Sequence, residues 1–167
     1  DTVYLAMIES GFSPGATSWA RAAGPWQFIA TTGRRFGLRQ DFWVDERRDF
    51  VKATRSAAAY LGDLNREFGH WHLAWAAYNA GSSRVRRALT LSGTSEFFAM
   101  LEKDRTLRKE TRHYVAKVLA AAVVAKNRAR YGFGEVKPLS PLAFDEVTVD
   151  GAVALQKVAQ KLGTGVE

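Results

Sequence analysis

The sequence predicts a mainly α fold, a single helical body followed by a small strand-and-helix appendix at the C terminus. Two observations carry this. Apolar residues recur at helical spacing through most of the first 131 positions, and Gly, Pro, Asn and Asp punctuate them where helices start and stop. The chain has 167 residues and is 47% hydrophobic, enough for one self-sufficient core. Its aromatic content, with five Trp and ten Phe, argues against disorder.

The elements follow in order. Residues 2–10 are apolar nearly all round, which predicts a helix buried on most sides and interrupted at Ser13, Pro14 and Gly15. Residues 25–36 begin with Pro25 at a first helical position and end at Gly37, which predicts a second helix. Asp49 is the expected N-cap of a helix carrying Ala57, Ala58, Tyr60, Leu61 and Leu64 on one face and ending at Gly69. A short helix over 72–81 is expected to stop at Asn79 and Gly81. Ser83 to Leu91 and a short element over 96–101 follow. The longest helix is expected from about Leu107 to Ala129, with a stripe of Tyr114, Val115, Val118, Leu119, Ala122 and Val123.

Composition shifts after Tyr131. Gly132, Gly134, Pro138 and Pro141 mark a loop, 143–149 alternates like a short extended strand, and 151–162 reads as an amphipathic helix. The expected division is therefore a body over 1–131 and an extension over 132–167 packed on it. The chain begins at Asp1 rather than Met and enters apolar sequence at once, which reads as an excised domain or a processed product. No signal-peptide pattern and no run of about 18 apolar residues is seen, so no transmembrane helix is expected.

The formal charge is +7, from 24 Lys and Arg against 17 Asp and Glu. Such a surface favours anionic partners: nucleic acid, membrane surfaces or acidic cell-wall polymers. Arg84, Arg86 and Arg87 form a basic cluster, but no nucleic-acid-binding module accompanies it. Cysteine is absent, which removes disulfides and thiolate chemistry. His70, His72 and His113 lack the spacing and the partner acids of a metal site.

Glu9 is the residue that points to chemistry. It ends the apolar run Val3 to Ile8. Apolar neighbours and the negative end of a helix dipole both disfavour its ionised form and raise its pKa. A carboxyl that keeps its proton near neutral pH suits general acid catalysis on a glycosidic oxygen. The plainer reading is a helix-end Glu turned to water. No Asp or Glu lies between Ser10 and Gln40, whereas ordinary glycoside hydrolysis uses two carboxylates about 5–9.5 Å apart. The next acids, Asp41, Asp45, Glu46 and Asp49, read as a solvated charged loop and helix start. Glu9 would then act without a partner near it in sequence, although a partner from distant sequence stays open.

Four motifs carry a resemblance: MIESGF with Glu9, AAGPWQF with Gln27, AAYNAG over 76–81, and ETRHYVAKV from Glu110 to Val118. In this order they resemble the lysozyme-like domain of lytic transglycosylases, relatives of goose-type lysozyme. Pro25 and Trp26 replace the Leu-Met usual in the soluble enzymes and bring the chain nearer the membrane-bound type D group. The resemblance implies a goose-type helical domain with a substrate groove. It implies that Glu9 is the sole general acid and base and that Ser18 holds the catalytic region and the sugar's acetamido group. Gln27 would hydrogen-bond substrate, Tyr78 and Asn79 would line the cleft, and Glu110 and Tyr114 would be the acidic and aromatic residues of the last motif.

Each assignment has a plainer counterpart. Gln27 reads otherwise as a polar helix residue, Asn79 as a helix stop, Tyr78 as packing and Glu110 as a surface ion pair. Trp26 is open between stacking on a sugar and core packing. The implied activity is cleavage of the β-1,4 bond between N-acetylmuramic acid and N-acetylglucosamine in peptidoglycan, leaving a 1,6-anhydromuramyl end. The implied setting is the bacterial periplasm, as a monomer acting on glycan strands with no metal or cofactor. The alternatives are a hydrolytic muramidase of the same fold and a silent peptidoglycan-binding domain.

Overall fold

A computed structural model describes residues 1–103, 106–137, 140 and 147–166. The chain divides into two compact units, Asp1–Glu135 and Val136–Glu167. In the first unit the helices are α1 (Tyr4–Ser10), α2 (Ala30–Arg35), α3 (Phe50–Phe68), α4 (Trp71–Ala80), α5 (Ser82–Ser92), α6 (Phe97–Lys103) and α7 (Lys109–Lys126). Short 3₁₀ turns cover Glu46–Arg48 and Arg128–Tyr131. In the second unit the described helix is α8 (Leu155–Leu162). Among the described residues the β structure is limited to isolated bridges, Thr17 with Ala23, Ala23 with Phe28, and Gln40 with Asp45. No described helix is long and apolar enough to cross a membrane.

α4 is the central element, packed against α3, α5 and α7. Leu73, Ala74, Trp75, Ala76, Ala77 and Ala80 are all buried. Its alanines are why: small side chains on several faces let three neighbouring helices approach closely. α3 contributes Ala53, Ala57, Leu61 and Leu64 to the same core, and α7 contributes Tyr114, Val115 and Val118. The caps of α3 are as expected. The Asp49 side chain accepts from the Lys52 amide at 2.8 Å, and Gly69 closes the helix in the left-handed region.

α1 departs from expectation. Leu5 and Ala6 are buried, but Val3 and Met7 lie exposed on the opposite face. The helix stops at Gly11, before the Ser-Pro-Gly stretch, because Gly11 takes φ 62°. The Phe12 amide then bonds back to the Ala6 carbonyl and the Gly11 amide to that of Met7. The expected helix over 25–36 shrinks to α2. Ala23 and Phe28 exchange both backbone hydrogen bonds, and the Gln27 amide donates to the Gly24 carbonyl at 3.1 Å. Pro25 to Gln27 are thus a tight turn; the φ of proline serves the second position of a turn as readily as a helix start.

Asn79 lies inside α4, which Gly81 ends. α7 is one residue shorter than α3, and its expected last turn becomes the 3₁₀ turn Arg128–Tyr131. In the second unit, α8 starts four residues later than expected, after an extended Ala154. Of the expected strand over 143–149, residues 143–146 lie outside the described residues, as do Pro138 and Pro141; residues 147–149 form no bridge.

The segment between α1 and α2 is irregular, and it is held from outside. The Arg47 guanidinium donates to the carbonyls of Arg21 at 3.0 Å and Phe28 at 2.9 Å while paired with Asp45 at 2.7 Å. Arg48 donates to the Pro14 carbonyl and to Thr17 Oγ1. The acids after Gln40 are therefore not simply solvated. Asp45 orients the arginine that pins the loop, and Gly24 is the contact point. A Cβ there would lie 1.7 Å from the Arg47 carbonyl oxygen, and its φ is +79°.

Gly24→Ala is accordingly expected to cost about 3 kcal/mol or more in urea unfolding, from steric overlap with backbone plus left-handed strain. Gly37→Ala, at φ +85° but with open space around it, is expected to cost only about 1–2 kcal/mol. Equal costs would show that the close approach of Gly24 to the Arg47 backbone does not constrain this loop.

Candidate active site

A groove of about 490 Å³ runs across the first unit. Glu9, Ser18, Gln27, Tyr78, Asn79 and Glu110 all line it. Residues 101 positions apart in the chain thus meet, because α1, the 11–29 loop, the end of α4 and the start of α7 converge there. Tyr114 is not among the lining residues. It is buried behind Glu9, one turn along α7 from Glu110.

Glu9 sits in the last turn of α1. Its carboxylate accepts a hydrogen bond from the Tyr114 hydroxyl at 2.6 Å. Desolvation by burial is the largest effect on it and pushes its pKa from 4.5 up to about 7. The Tyr114 hydrogen bond works the other way, and the charge of Glu110 reinforces the rise. Tyr114 remains a reliable donor: burial, then the neighbouring Glu9 charge, push its hydroxyl well above the usual phenol range. Half-buried Glu9, with a pKa of about 7, therefore titrates close to neutrality, a range in which a carboxyl can both give and take a proton.

The other expected residues each have a structural reason for their place. Ser10 Oγ donates to the Pro25 carbonyl at 2.8 Å and so fastens the end of α1 to the Gly24–Gln27 turn. Gln27 adopts φ 49°, and its side-chain nitrogen donates to the Gly24 carbonyl at 2.9 Å. Ser18 Oγ accepts from the Ala22 amide at 3.1 Å, inside a turn closed by Arg21 N–H to the Ser18 carbonyl. The Tyr78 hydroxyl donates to the Trp26 carbonyl at 2.7 Å, and burial pushes its pKa well up. Asn79 Oδ1 accepts from Thr111 Oγ1 at 2.7 Å, which joins the end of α4 to the start of α7.

Trp26 resolves toward the core. It is 6% exposed, and its indole N–H donates to Thr54 at 2.9 Å. Among the described residues no group of His, Asp and Glu side chains is arranged to hold a metal ion.

Several lining residues escaped the sequence reading: Trp19, Ile29, Thr32, Tyr60, Arg84 and Arg108. Tyr60 reads as part of the apolar spacing of α3, yet its ring lies 5.2 Å from that of Tyr78 and completes an aromatic wall with Phe28. Arg84 reads as one of a surface basic cluster, yet it donates to the Ala80 carbonyl at 3.0 Å and faces the groove. Arg86 instead pairs with Glu67. No periodic or motif signal marks the other four.

Comparison with known proteins places this geometry. Residues 2–101 match the model of the transglycosylase SLT domain. The chain is 40% identical over 170 residues to membrane-bound lytic murein transglycosylase D of Escherichia coli, covering 99% of this chain and 37% of that protein. The chain thus spans little more than a third of the length of this curated relative. Among solved structures, an inactive mutant of lytic transglycosylase Slt from Pseudomonas aeruginosa is 30% identical, with a TM-score of 0.62 over 77% of this chain and 22% of that one. The 70 kDa soluble lytic transglycosylase of Escherichia coli is 27% identical, with a TM-score of 0.59 over 80% of this chain and 22% of that one.

Two predictions follow from the electrostatics of Glu9. Its raised pKa means that the folded state holds the proton more tightly than the unfolded chain. That contribution to stability is complete below about pH 4.5 and is lost as pH rises through about 7. Glu9→Gln abolishes the titration. Its stability relative to the parent should therefore be level near pH 4 and should rise to a plateau above about pH 8, by up to about 3 kcal/mol in thermal or urea unfolding. Opposite shifts are expected from the neighbours. Tyr114→Phe removes the donor and should raise the Glu9 pKa, whereas Glu110→Gln should lower it. A carboxyl-carbon NMR titration reads both directly, and shifts of the same sign would contradict this account.

Proposed function

The chain belongs to the transglycosylase SLT domain family, and from that premise we propose that it is a peptidoglycan lytic transglycosylase of the bacterial cell envelope. It cleaves the β-1,4 bond between N-acetylmuramic acid and N-acetylglucosamine without adding water. The observation that carries the reading is Glu9, a carboxyl lining a groove with its pKa lifted to about 7 and one neutral donor, Tyr114, against it.

The groove's own residues supply the steps. Protonated Glu9 gives its proton to the glycosidic oxygen as that bond breaks, while the muramyl 2-acetamido group supports the charge developing at C1. Glu9 is then a carboxylate, and the Tyr114 hydroxyl stabilises it through a charge-assisted hydrogen bond. Glu9 next takes the proton from the C6 hydroxyl as that oxygen bonds to C1, which closes the 1,6-anhydro ring and restores the acid. Every step is a proton transfer or displacement between Glu9 and the sugar, so the scheme draws on no metal or cofactor. Gln27, Ser18 and Asn79 offer polar groups to the acetamido and hydroxyl substituents, and Tyr78 with Tyr60 forms one wall. Burial favours the protonated form of Glu9, and the charge of Glu110 adds to it.

In this reading the enzyme works in the periplasm, as a monomer acting on glycan strands. A second reading, a muramidase that admits water, draws on the presence of Glu110 as another carboxylate in the groove.

Mass spectrometry of digested sacculi separates the readings. Anhydromuramyl products, one water lighter than reducing ends, are expected. Reducing ends alone would establish the muramidase. Glu9→Gln should lose at least about 10²–10⁴-fold of the activity while still binding glycan. Turnover near the parent rate would remove Glu9 from the mechanism. Lysis should also slow as salt rises, because the net charge of +7 attracts an anionic wall and counterions screen it. A rate independent of ionic strength would show that the basic surface does not steer binding.

A further inference from the structure

We propose that Trp19 is a sugar-stacking platform at the rim of the groove, binding the apolar face of a pyranose ring in a glycan strand that extends past Glu9. The proposal rests on the glycan reading above and assigns a binding residue to it.

Trp19 is 94% exposed, the highest among the large hydrophobic side chains of the described residues, yet it lines the same groove as Glu9. An indole left almost wholly in water forgoes the burial that usually stabilises a tryptophan, and its place on the groove wall beside Glu9 points to a ligand that would cover it. The backbone flanking it is held by several hydrogen bonds. Ser18 N–H donates to the Ala22 carbonyl at 2.9 Å, and Arg21 N–H to that of Ser18 at 2.9 Å. Ser18 Oγ takes the Ala22 amide at 3.1 Å, and the Arg47 guanidinium holds the Arg21 carbonyl at 3.0 Å. Arg21 itself sits at φ 59°, a conformation that a non-glycine residue adopts when its surroundings impose it. The exposed ring therefore stands on an ordered turn, and little backbone entropy remains to be lost when a ligand docks.

The chemistry of the occupant fits. In a β-1,4-linked N-acetylhexosamine the ring substituents are mostly equatorial, so the axial C–H groups leave each ring face apolar. The negative face of an indole attracts such C–H groups and covers their area from water. The stacking is sequence-tolerant along the strand, since both alternating sugars present the same type of face. Trp43 provides an internal contrast. It is 87% exposed but is not among the groove residues, and its ring packs edge-on to Phe42.

The test uses Glu9→Gln as parent, so that ligand is not consumed. Calorimetric titration with a neutral β-1,4-linked N-acetylglucosamine hexamer should show Trp19→Ala binding about tenfold more weakly. Trp19→Tyr should stay within about threefold of the parent, because a flat aromatic face is retained, and Trp43→Ala should bind unchanged. Matching thermal melts establish that the variants are folded. Unchanged affinity in Trp19→Ala overturns the proposal, and so does an equal loss in Trp43→Ala. A parent that binds neither the hexamer nor isolated sacculi removes the glycan reading itself, which a glycan-binding parent with an indifferent Trp19 would leave standing.

Discussion

The hydrogen bond from the Tyr114 hydroxyl to Glu9 is the contact around which the first unit is arranged. It joins α1 to α7 across 105 positions of sequence, and it does so at 2.6 Å between a buried phenol and a half-buried carboxylate. A neutral donor there is a specific solution. A lysine or arginine would hold the carboxyl ionised and drive its pKa down, while no donor at all would leave a buried acid that resists ionising. With a phenol, burial and the Glu110 charge are only partly offset, and the pKa settles at about 7. α7 therefore delivers two opposing influences from one helix: Tyr114 favours the carboxylate and Glu110, one turn earlier, disfavours it.

The second arrangement is the irregular segment between α1 and α2. It carries Ser18, Trp19 and Gln27 to the groove without regular secondary structure, so its backbone groups need partners from elsewhere. Arg47 and Arg48 supply many of them, from a single 3₁₀ turn. Three non-glycine residues in this stretch, Phe12, Arg21 and Gln27, have positive φ. Each costs of order 1 kcal/mol or more, which a loop keeps only when its surroundings determine it. The partly buried guanidinium of Arg47 is such a determinant, because its donors are shared between loop carbonyls and Asp45. Side chains placed by so constrained a backbone need not be ordered again when a ligand arrives.

α4 links the two arrangements. Its alanines bring α3, α5 and α7 close, and its end presents Tyr78 and Asn79 to the groove. The Tyr78 hydroxyl reaches the Trp26 carbonyl in the turn, and Asn79 reaches Thr111 on α7. Loop, central helix and α7 are thus coupled by polar contacts directly beneath the groove, while the apolar packing lies behind it.

Much was legible in the sequence for reasons that are local. The helices of the first unit, the Asp49 cap and the Gly69 and Gly81 stops follow from periodicity and from φ preferences of single residues. Glu9 stood out because a carboxylate at the end of an apolar run is costly, the groove residues Gln27, Tyr78, Asn79 and Glu110 lie in the four ordered motifs, and Ser18 followed only from the resemblance those motifs carry. What required the tertiary structure was everything set by contact between distant segments. Pro25 is compatible with a helix start and with a turn, and the bridge between Ala23 and Phe28 selects the turn. Tyr114 and Glu110 share a helix face by spacing, but only the packing of α1 on α7 puts one behind Glu9 and the other in the groove. Asp45 and Arg47 look like a solvated charge run until the loop lies across them. Trp19 carries no periodic signal at all, because its exposure at the groove is a property of a turn held by Arg47, and no local preference encodes which segment an arginine will hold.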